Sequence, residues 1–394
     1  MKIAHIVCRF NPYLAGMGNV AEEQVKRLAP ENEVVVMALS NKSSDQGEVR
    51  TVSQGISYKV KWLHSLIRFS NSGFCPGILK QLKEFDIIQL HYPFFGVQEV
   101  LYWGKRLGML KKQKLVIFYH MEARLDNIFL RFLSLPSHLI KSGLFKRADK
   151  IVCASIDYAA NCGSQAVYLE NKDKLVEIPF GSKYNGFKIR LDRVKQLAAE
   201  LKLKPEEKMI LFVANLDKAH YFKGLDVLLE AVKLLKQESL KFKLVVVGEG
   251  DLRSRYENIC KQTGIEDKVI FMGRVDDSEL GYYYYSCDVC VLPSINSSEA
   301  FGLALVEAKS FAKAVIGSNL PGVRGVVGDN KSGLTVKPGD SADLADKIKL
   351  ILTDNSLRQR FSERAIRQAN IIYDWDKHSS SLEQVYKQLM LSIL

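Results

Sequence analysis

Apolar residues in this chain gather into short solid runs rich in Val and Ile, at residues 2–8, 33–38, 86–90, 114–120, 148–155 and 174–181. A second series follows at 209–214, 242–250, 269–275, 289–292, 315–317 and 333–336. Between them lie segments whose apolar positions recur at helical spacing, such as 19–28, 191–203, the run from Leu225, 303–308, 344–351 and 379–391. Solid runs alternating with amphipathic helices predict βα units and hence parallel, doubly wound sheets buried on both faces. The stretch from 39 to 83 reads as less regular. Near residue 182 the sequence turns polar and glycine-bearing, and a charged amphipathic helix then opens a new series of strands. A chain of 394 residues exceeds one ordinary core. The expected organisation is two domains, 1–187 and 188–375, with the last helix, 376–394, packing back on the first.

The chemistry concentrates after the run 289–292. Pro293 stops that strand, a loop of Ser294, Asn296, Ser297 and Ser298 follows, and Phe301-Gly302 leads into a helix, which puts Glu299 in a strand-to-helix turn. The first turn of a helix has unpaired amides and partial positive charge, so it holds anions such as a diphosphate without a cationic side chain. A carboxylate there serves a ligand by accepting hydrogen bonds from hydroxyls, and sugar hydroxyls meet that demand. Glu307, a little over two helical turns on, suits a ribose diol of the same extended ligand.

The segment Glu299-Ala300-Phe301-Gly302-Leu303-Ala304-Leu305-Val306-Glu307, with its flanks, resembles the E-x7-E signature of retaining glycosyltransferases of family 4, group 1, which have the GT-B fold. The resemblance covers nearly the whole chain, most closely from Phe212 onward. It implies an α/β protein of two Rossmann-like domains facing a central cleft, with the nucleotide held by the second and the acceptor by the first. By the resemblance, Glu299 and the amides of Phe301, Gly302 and Leu303 hold the donor sugar, and Glu307 takes the nucleotide ribose. Lys223-Gly224, entering a helix, matches the family's phosphate-binding pair, and a lysine there supplies a point charge for diphosphate. Asn215 stands where many members carry an arginine, so Lys218, His220 and Arg324 are candidates to supply the second cation. Arg274 and Val275 fall where the family lines the base pocket. Gly16 and Gly18, separated by Met17, match the glycine-rich loop near the N-terminus.

His120 ends the run 114–120, and a histidine at a strand's carboxyl end faces the ligand side of a parallel sheet. The resemblance agrees, since members carry a histidine there that reaches donor sugar and phosphate. His91 also reads as a strand end, with a weaker case. Lys183 stands where the family has an acidic residue, and no chemistry is assigned to it. The tetrad Tyr282 to Tyr285 reads as packing rather than base stacking.

The formal net charge of +12 asks for anionic partners. No helix-turn-helix, zinc-finger or RRM-like pattern supports nucleic acid. Basic and aromatic residues interleave at 60–69, 105–114 and 129–150, which suits an anionic membrane surface or an ordinary core with solvated lysines. The cysteines are scattered, and the lone pair Cys287 and Cys290 reads as packing. No apolar run is long enough to span a bilayer, and no signal pattern opens the chain. The expectation is a cytoplasmic protein, peripheral at the inner face of the cell membrane if it binds there.

The expected reaction moves a hexose from a nucleotide-diphosphate sugar to a hydroxyl of a glycan or lipid-linked acceptor, in cell-surface polysaccharide synthesis. It is expected to need neither metal nor cofactor, with His120, Glu299 and Lys223 at its centre. Two alternatives stay open: a nucleotide-sugar epimerase of the same fold, and a non-catalytic partner in a glycan-assembly complex. Base, sugar and acceptor stay open as well.

Overall fold

The structure, a computed structural model, describes residues 1–11, 16–40, 48–53, 56–122, 132, 134–162, 165–238 and 240–391. Residues 12–15 of the first glycine loop, together with Phe129 and Arg131 of the basic stretch, lie outside the described residues. The chain forms two compact units, Met1–Phe180 with Trp375–Leu394, and Gly181–Asp374.

In the first unit the strands are β1 (Lys2–Val7), β2 (Glu33–Leu39), β3 (Glu48–Ser53), β4 (Ile56–Leu63), β5 (Ile67–Phe69), β6 (Ser72–Phe74), β7 (Ile87–Tyr92), β8 (Lys114–Tyr119), β9 (Lys150–Cys153) and β10 (Leu175–Glu177). Eight of them make one sheet in the order β10-β9-β8-β7-β1-β2-β4-β3, while β5 and β6 form a separate hairpin. All pairs in the large sheet are parallel except β3 with β4. Every residue of β7 is buried, as expected of a strand covered on both faces. Aspartates just outside the strands set the register. Asp86 accepts from the Lys2 amide at 2.8 Å and Asp149 from the Leu115 amide at 2.8 Å.

The stretch 39–83, read as irregular, holds β3 to β6. β3 lies at the sheet edge and β5 and β6 are three residues each, while β4, paired on both sides, mixes buried positions with exposed Lys59 and half-buried Lys61, so none of them shows the solid apolar run of a strand covered on both faces. His91 is the penultimate residue of β7, which ends at Tyr92, but it pairs with Phe118 of β8 and is fully buried rather than open to the ligand side of the sheet. The last helix, Trp375–Leu391, belongs to this unit, and its His378 meets Gln24 at 2.9 Å.

The second unit contains β11 (Lys208–Val213), β12 (Phe242–Val247), β13 (Val269–Gly273), β14 (Val289–Leu292), β15 (Ala314–Ser318) and β16 (Gly333–Val336). They form one parallel sheet in the order β13-β12-β11-β14-β15-β16, the strand order of a dinucleotide-binding fold. The Ser182 amide donates to the Tyr373 carbonyl at 3.0 Å, tying together the segments that enter and leave this unit. That bond lies before residues 187/188, where the sequence places the boundary. Among the described residues no helix is long and apolar enough to cross a membrane.

Candidate functional site

In an open parallel sheet the ligand crevice lies beyond the carboxyl ends of two neighbouring strands whose connections run to opposite sides. In the second unit those strands are β11 and β14, paired at Ile210 with Val289 and Leu211 with Cys290. The loop after β11 ends in a short 3-10 turn, Lys218–Lys223, capped by Asp217, which accepts from the Ala219 and His220 amides at 2.9 and 3.0 Å. Gly224 follows with φ +79°, and a Cβ there would stand 2.1 Å from the Pro293 carbonyl oxygen. Only glycine fits, because the two loops meet backbone to backbone. The Ile295 amide donates to the Phe222 carbonyl across the same contact at 2.8 Å.

This contact delivers Lys223 to Glu299, with Nζ 2.5 Å from Oε2. The other oxygen of Glu299 accepts from the Gly302 amide at 3.0 Å, and Ser294 Oγ lies 3.4 Å from Oε2. Lys223, expected at a diphosphate, and the Gly302 amide, expected at the ligand, both engage Glu299 in the structure. Gly302 precedes the helix Leu303–Ser310 and its carbonyl accepts from the Leu305 amide at 2.9 Å, so the unpaired donors that a helix start leaves fall to its first residues, Leu303 and Ala304.

Glu307 lies on the second turn of that helix. The Tyr284 hydroxyl donates to its Oε2 at 2.7 Å, and Lys183 Nζ stands 3.9 Å from Oε1 while pairing with Asp277 at 2.5 Å. Burial pushes the Glu307 carboxyl up, while the Lys183 charge and the Tyr284 hydrogen bond pull it back. Asn215 and Lys218 are exposed on the loop after β11, and Arg274 is exposed with Val275 half-buried just past β13. Arg324 is the second residue of the short helix Val323–Val327 after β15, and His220 holds Asp217 through Nδ1 at 2.7 Å. Phe301 is buried, its ring edge-on to Tyr373. Thus Lys223, Glu299, Gly302 and Leu303 converge at the switch point, with Glu307 one turn further along the helix.

In the first unit the corresponding position lies between β1 and β7. The helix Gly16–Leu28 starts there. A Cβ on Gly18 would stand 2.6 Å from the Arg9 carbonyl oxygen, whereas Gly16 has open space, so Gly18 is the glycine that permits close packing. His120 follows β8 and is 8% exposed, its Nε2 2.8 Å from His91 Nδ1. Burial pushes the His120 imidazole down to about 3, so it is neutral at ordinary pH. Cys287 and Cys290 are both buried free thiols. Among the described residues no group of three or more His, Cys, Asp or Glu is placed to hold a metal ion.

Two family profiles match the chain, "Glycosyl transferases group 1" over residues 194–368 and "Glycosyltransferase Family 4" over residues 14–165. The chain belongs to the group 1 glycosyltransferases. O-antigen chain mannosyltransferase C of Escherichia coli is 26% identical over 85% of this chain and 85% of that protein. A phosphatidyl-myo-inositol mannosyltransferase of Mycobacterium leprae is 28% identical over 86% and 84%. Among solved structures, sucrose-phosphate synthase from Thermosynechococcus elongatus superposes with a TM-score of 0.79 at 20% identity, covering 100% of both chains. Anabaena HepE, solved in complex with UDP, gives 0.75 at 18% identity over 98% of this chain and 100% of that one. These likenesses establish the GT-B fold with two Rossmann-like domains.

Two neighbours of this transferase's Glu307 escaped the sequence reading. The sequence pattern marks Tyr284, within its tetrad, for packing alone and Lys183 only as a departure from the family pattern. The single available signal for Lys183 was its unusual charge at that turn. Nothing in the spacing links it to Glu307.

Proposed function

We propose that this transferase moves a hexose from a nucleotide-diphosphate sugar to a hydroxyl of a glycan or lipid-linked acceptor, with retention at the anomeric carbon. The observation that carries the donor half is the gathering of Lys223, Glu299 and the helix bearing Glu307 at the switch point of the second sheet. Glu299, held rigid from three sides, accepts hydrogen bonds from sugar hydroxyls. Glu307, anchored by Tyr284 through one oxygen, takes the ribose with the other. The start of the helix Leu303–Ser310 faces the diphosphate, with Lys218 and Arg274 as further exposed cations. Reading the reaction as front-face, the bond from the anomeric carbon to the leaving phosphate breaks, the acceptor oxygen bonds to that carbon, and the acceptor's proton passes to a phosphate oxygen. The relatives named for O-antigen and phosphatidyl-inositol mannosylation support an acceptor of glycan or lipid type.

The acceptor's class is supported by a surface of the first unit. The β5–β6 hairpin leaves Leu66 and Ile67 75% and 72% exposed, with Phe69 at 51%. It rests on the start of the helix Val97–Arg106, where the Gly73 amide donates to the Phe95 carbonyl at 3.0 Å. That helix exposes Trp103 and Arg106, and the helix Leu135–Arg147 beside it exposes Leu135 and Leu139. Exposed apolar side chains on the same unit as exposed Arg68, Arg106, Lys111 and Lys112 suit an anionic bilayer, where the transferase would bind as a peripheral protein.

The test incubates the purified chain with a panel of nucleotide sugars and a short-chain polyprenyl-diphosphate-linked sugar, with and without added divalent metal, and reads products by NMR. The reading predicts one nucleotide diphosphate released per α-linked product formed. Conversion of the donor without any acceptor would mean an epimerase, and no turnover with any donor would mean a non-catalytic partner.

A further inference from the structure

The core of the first unit contains a continuous set of polar side chains that ends on His120. His5 Nδ1 lies 3.2 Å from His91 Nε2, and His91 Nδ1 lies 2.8 Å from His120 Nε2. His5 and His91 are fully buried. Gln89 Nε2 reaches His5 Nδ1 at 3.2 Å and His91 Nε2 at 3.1 Å, and it donates to Gln24 Oε1 at 2.8 Å. Gln24 Nε2 meets His378 Nε2 at 2.9 Å, and His378 Nδ1 meets the Pro179 carbonyl oxygen at 2.8 Å. The Tyr386 hydroxyl donates to Gln89 Oε1.

The protons of this set can be assigned from one end. A carbonyl oxygen only accepts, so His378 carries its proton on Nδ1 and leaves Nε2 bare. Gln24 therefore turns its amide nitrogen to His378 and its oxygen to Gln89. Gln89 in turn directs its nitrogen at the two histidines and its oxygen at Tyr386. Of the facing nitrogens His5 Nδ1 and His91 Nε2, one carries a proton and the other accepts.

Two arrangements satisfy this with equal numbers of hydrogen bonds. In the first, His5 donates to His91 Nε2, His91 donates from Nδ1 to His120 Nε2, and His120 keeps its proton on Nδ1. In the second every proton is shifted the other way, and His120 Nδ1 is bare. They differ at the inner end, where His5 Nε2 is buried without a partner among the described residues. The first leaves a bare lone pair there, and the second leaves an orphaned N–H, the rarer and costlier defect.

We propose that the buried set fixes His120 as the Nδ1–H tautomer, so that His91 and His5 are positioning residues and His120 offers its ligand a hydrogen-bond donor. Because the set ends at His5 with no further partner among the described residues, it has no outlet there through which to pass a proton. It acts as a clamp on a tautomer and not as a relay. Its consequence, a donor presented to a sugar or phosphate oxygen, rests on reading His120 as a ligand-contacting residue. The tautomer itself does not.

The test is two-bond 1H–15N correlation NMR on the full chain labelled at its seven histidines, with His120 assigned by its disappearance in His120→Gln. The expected result is a protonated Nδ1 and a bare Nε2 at neutral pH. His91→Leu should release the clamp and populate the Nε2–H form, whereas His91→Asn, whose amide can donate in place of Nδ1, should retain the native tautomer. With a donor and acceptor in hand, His91→Leu should lower turnover about tenfold or more with KM for the nucleotide sugar little changed, and His91→Asn should restore it. An Nε2-protonated or doubly protonated His120 in the unaltered chain would overturn the proposal whether or not the leucine variant folds. An unchanged tautomer in a folded His91→Leu would overturn it equally. Failure of catalysis with a correct tautomer would instead count against the functional reading.

Discussion

Replacing Lys223 with Met would remove the only cation paired with a nearly buried carboxylate among the described residues of that loop. The Glu299 side chain is 8% exposed and that of Lys223 is 22% exposed. Removing one partner of a buried ion pair costs roughly 3–5 kcal/mol because the other charge is left uncompensated. Glu299 keeps its hydrogen bond from the Gly302 amide, and its partner was already partly in water, so the expected loss is about 2–3 kcal/mol. For a unit of this size that lowers the melting temperature by roughly 5–10 °C. Glu299→Gln keeps an acceptor for Gly302 and leaves Lys223 a route to water, so it should cost only about 1 kcal/mol. The double variant should then cost less than the sum, with a coupling energy of about 1–2 kcal/mol. Scanning calorimetry of the four proteins gives these values directly. Additive losses, or a Lys223→Met protein as stable as the parent, would refute the pairing on which the site is built.

Gly224→Ala would place a methyl group against the Pro293 carbonyl oxygen at a positive φ, and it should separate the two loops. Circular dichroism should show a lower melting temperature and calorimetry should show no nucleotide binding; retention of both would mean that the loops do not need this contact. Lys309 Nζ is fully enclosed, donating to Ser332 Oγ at 2.8 Å and Gln368 Oε1 at 2.7 Å, and burial pushes its ammonium from 10.5 down to about 7. Between those values the unfolded chain binds a proton that the folded chain lacks. Stability from this group is therefore present above the unfolded value and is lost as pH falls toward 7, with a limiting slope of about 1.4 kcal/mol per pH unit. Urea titrations at pH 7.5 and 9 should show a rise that is absent in Lys309→Met, and equal slopes would contradict it. Substituting Leu66, Ile67 and Phe69 together with Ser should abolish co-sedimentation with phosphatidylglycerol vesicles while leaving nucleotide binding intact. Unchanged sedimentation would remove the hairpin from the membrane reading.

The second sheet is legible in the sequence because its inner strands are covered on both faces. Val289-Cys290-Val291-Leu292 and Met209 to Val213 are solid apolar runs for that reason, and Glu299 falls in the turn that the pattern places it in. The hairpin and edge strands of the first unit leave no such mark, since β5 and β6 pair only with each other and all three residues of β5 face water. His91 falls at the end of its strand as the pattern places it, but its complete burial is not legible, because one residue decides whether a polar side chain at a strand end turns into the core or out of it. The histidine set could not be read at all, because it draws Gln24, Gln89 and His378 from three distant segments joined only by strand pairing and the returning helix. Lys223 and Glu299 were each legible as site residues. Their mutual ion pair was not, because it depends on the backbone contact that Gly224 permits.

The central claim is that the second sheet's switch point holds a nucleotide diphosphate through Glu307 and the helix that carries it. Isothermal calorimetry with UDP, GDP and ADP, before and after addition of divalent metal, tests it most directly. The account predicts binding of one nucleotide at one site per chain, abolished or weakened at least tenfold by Glu307→Ala in a protein that still melts cooperatively. Binding unaffected by that substitution, or no binding of any nucleotide diphosphate by the folded chain, would contradict it.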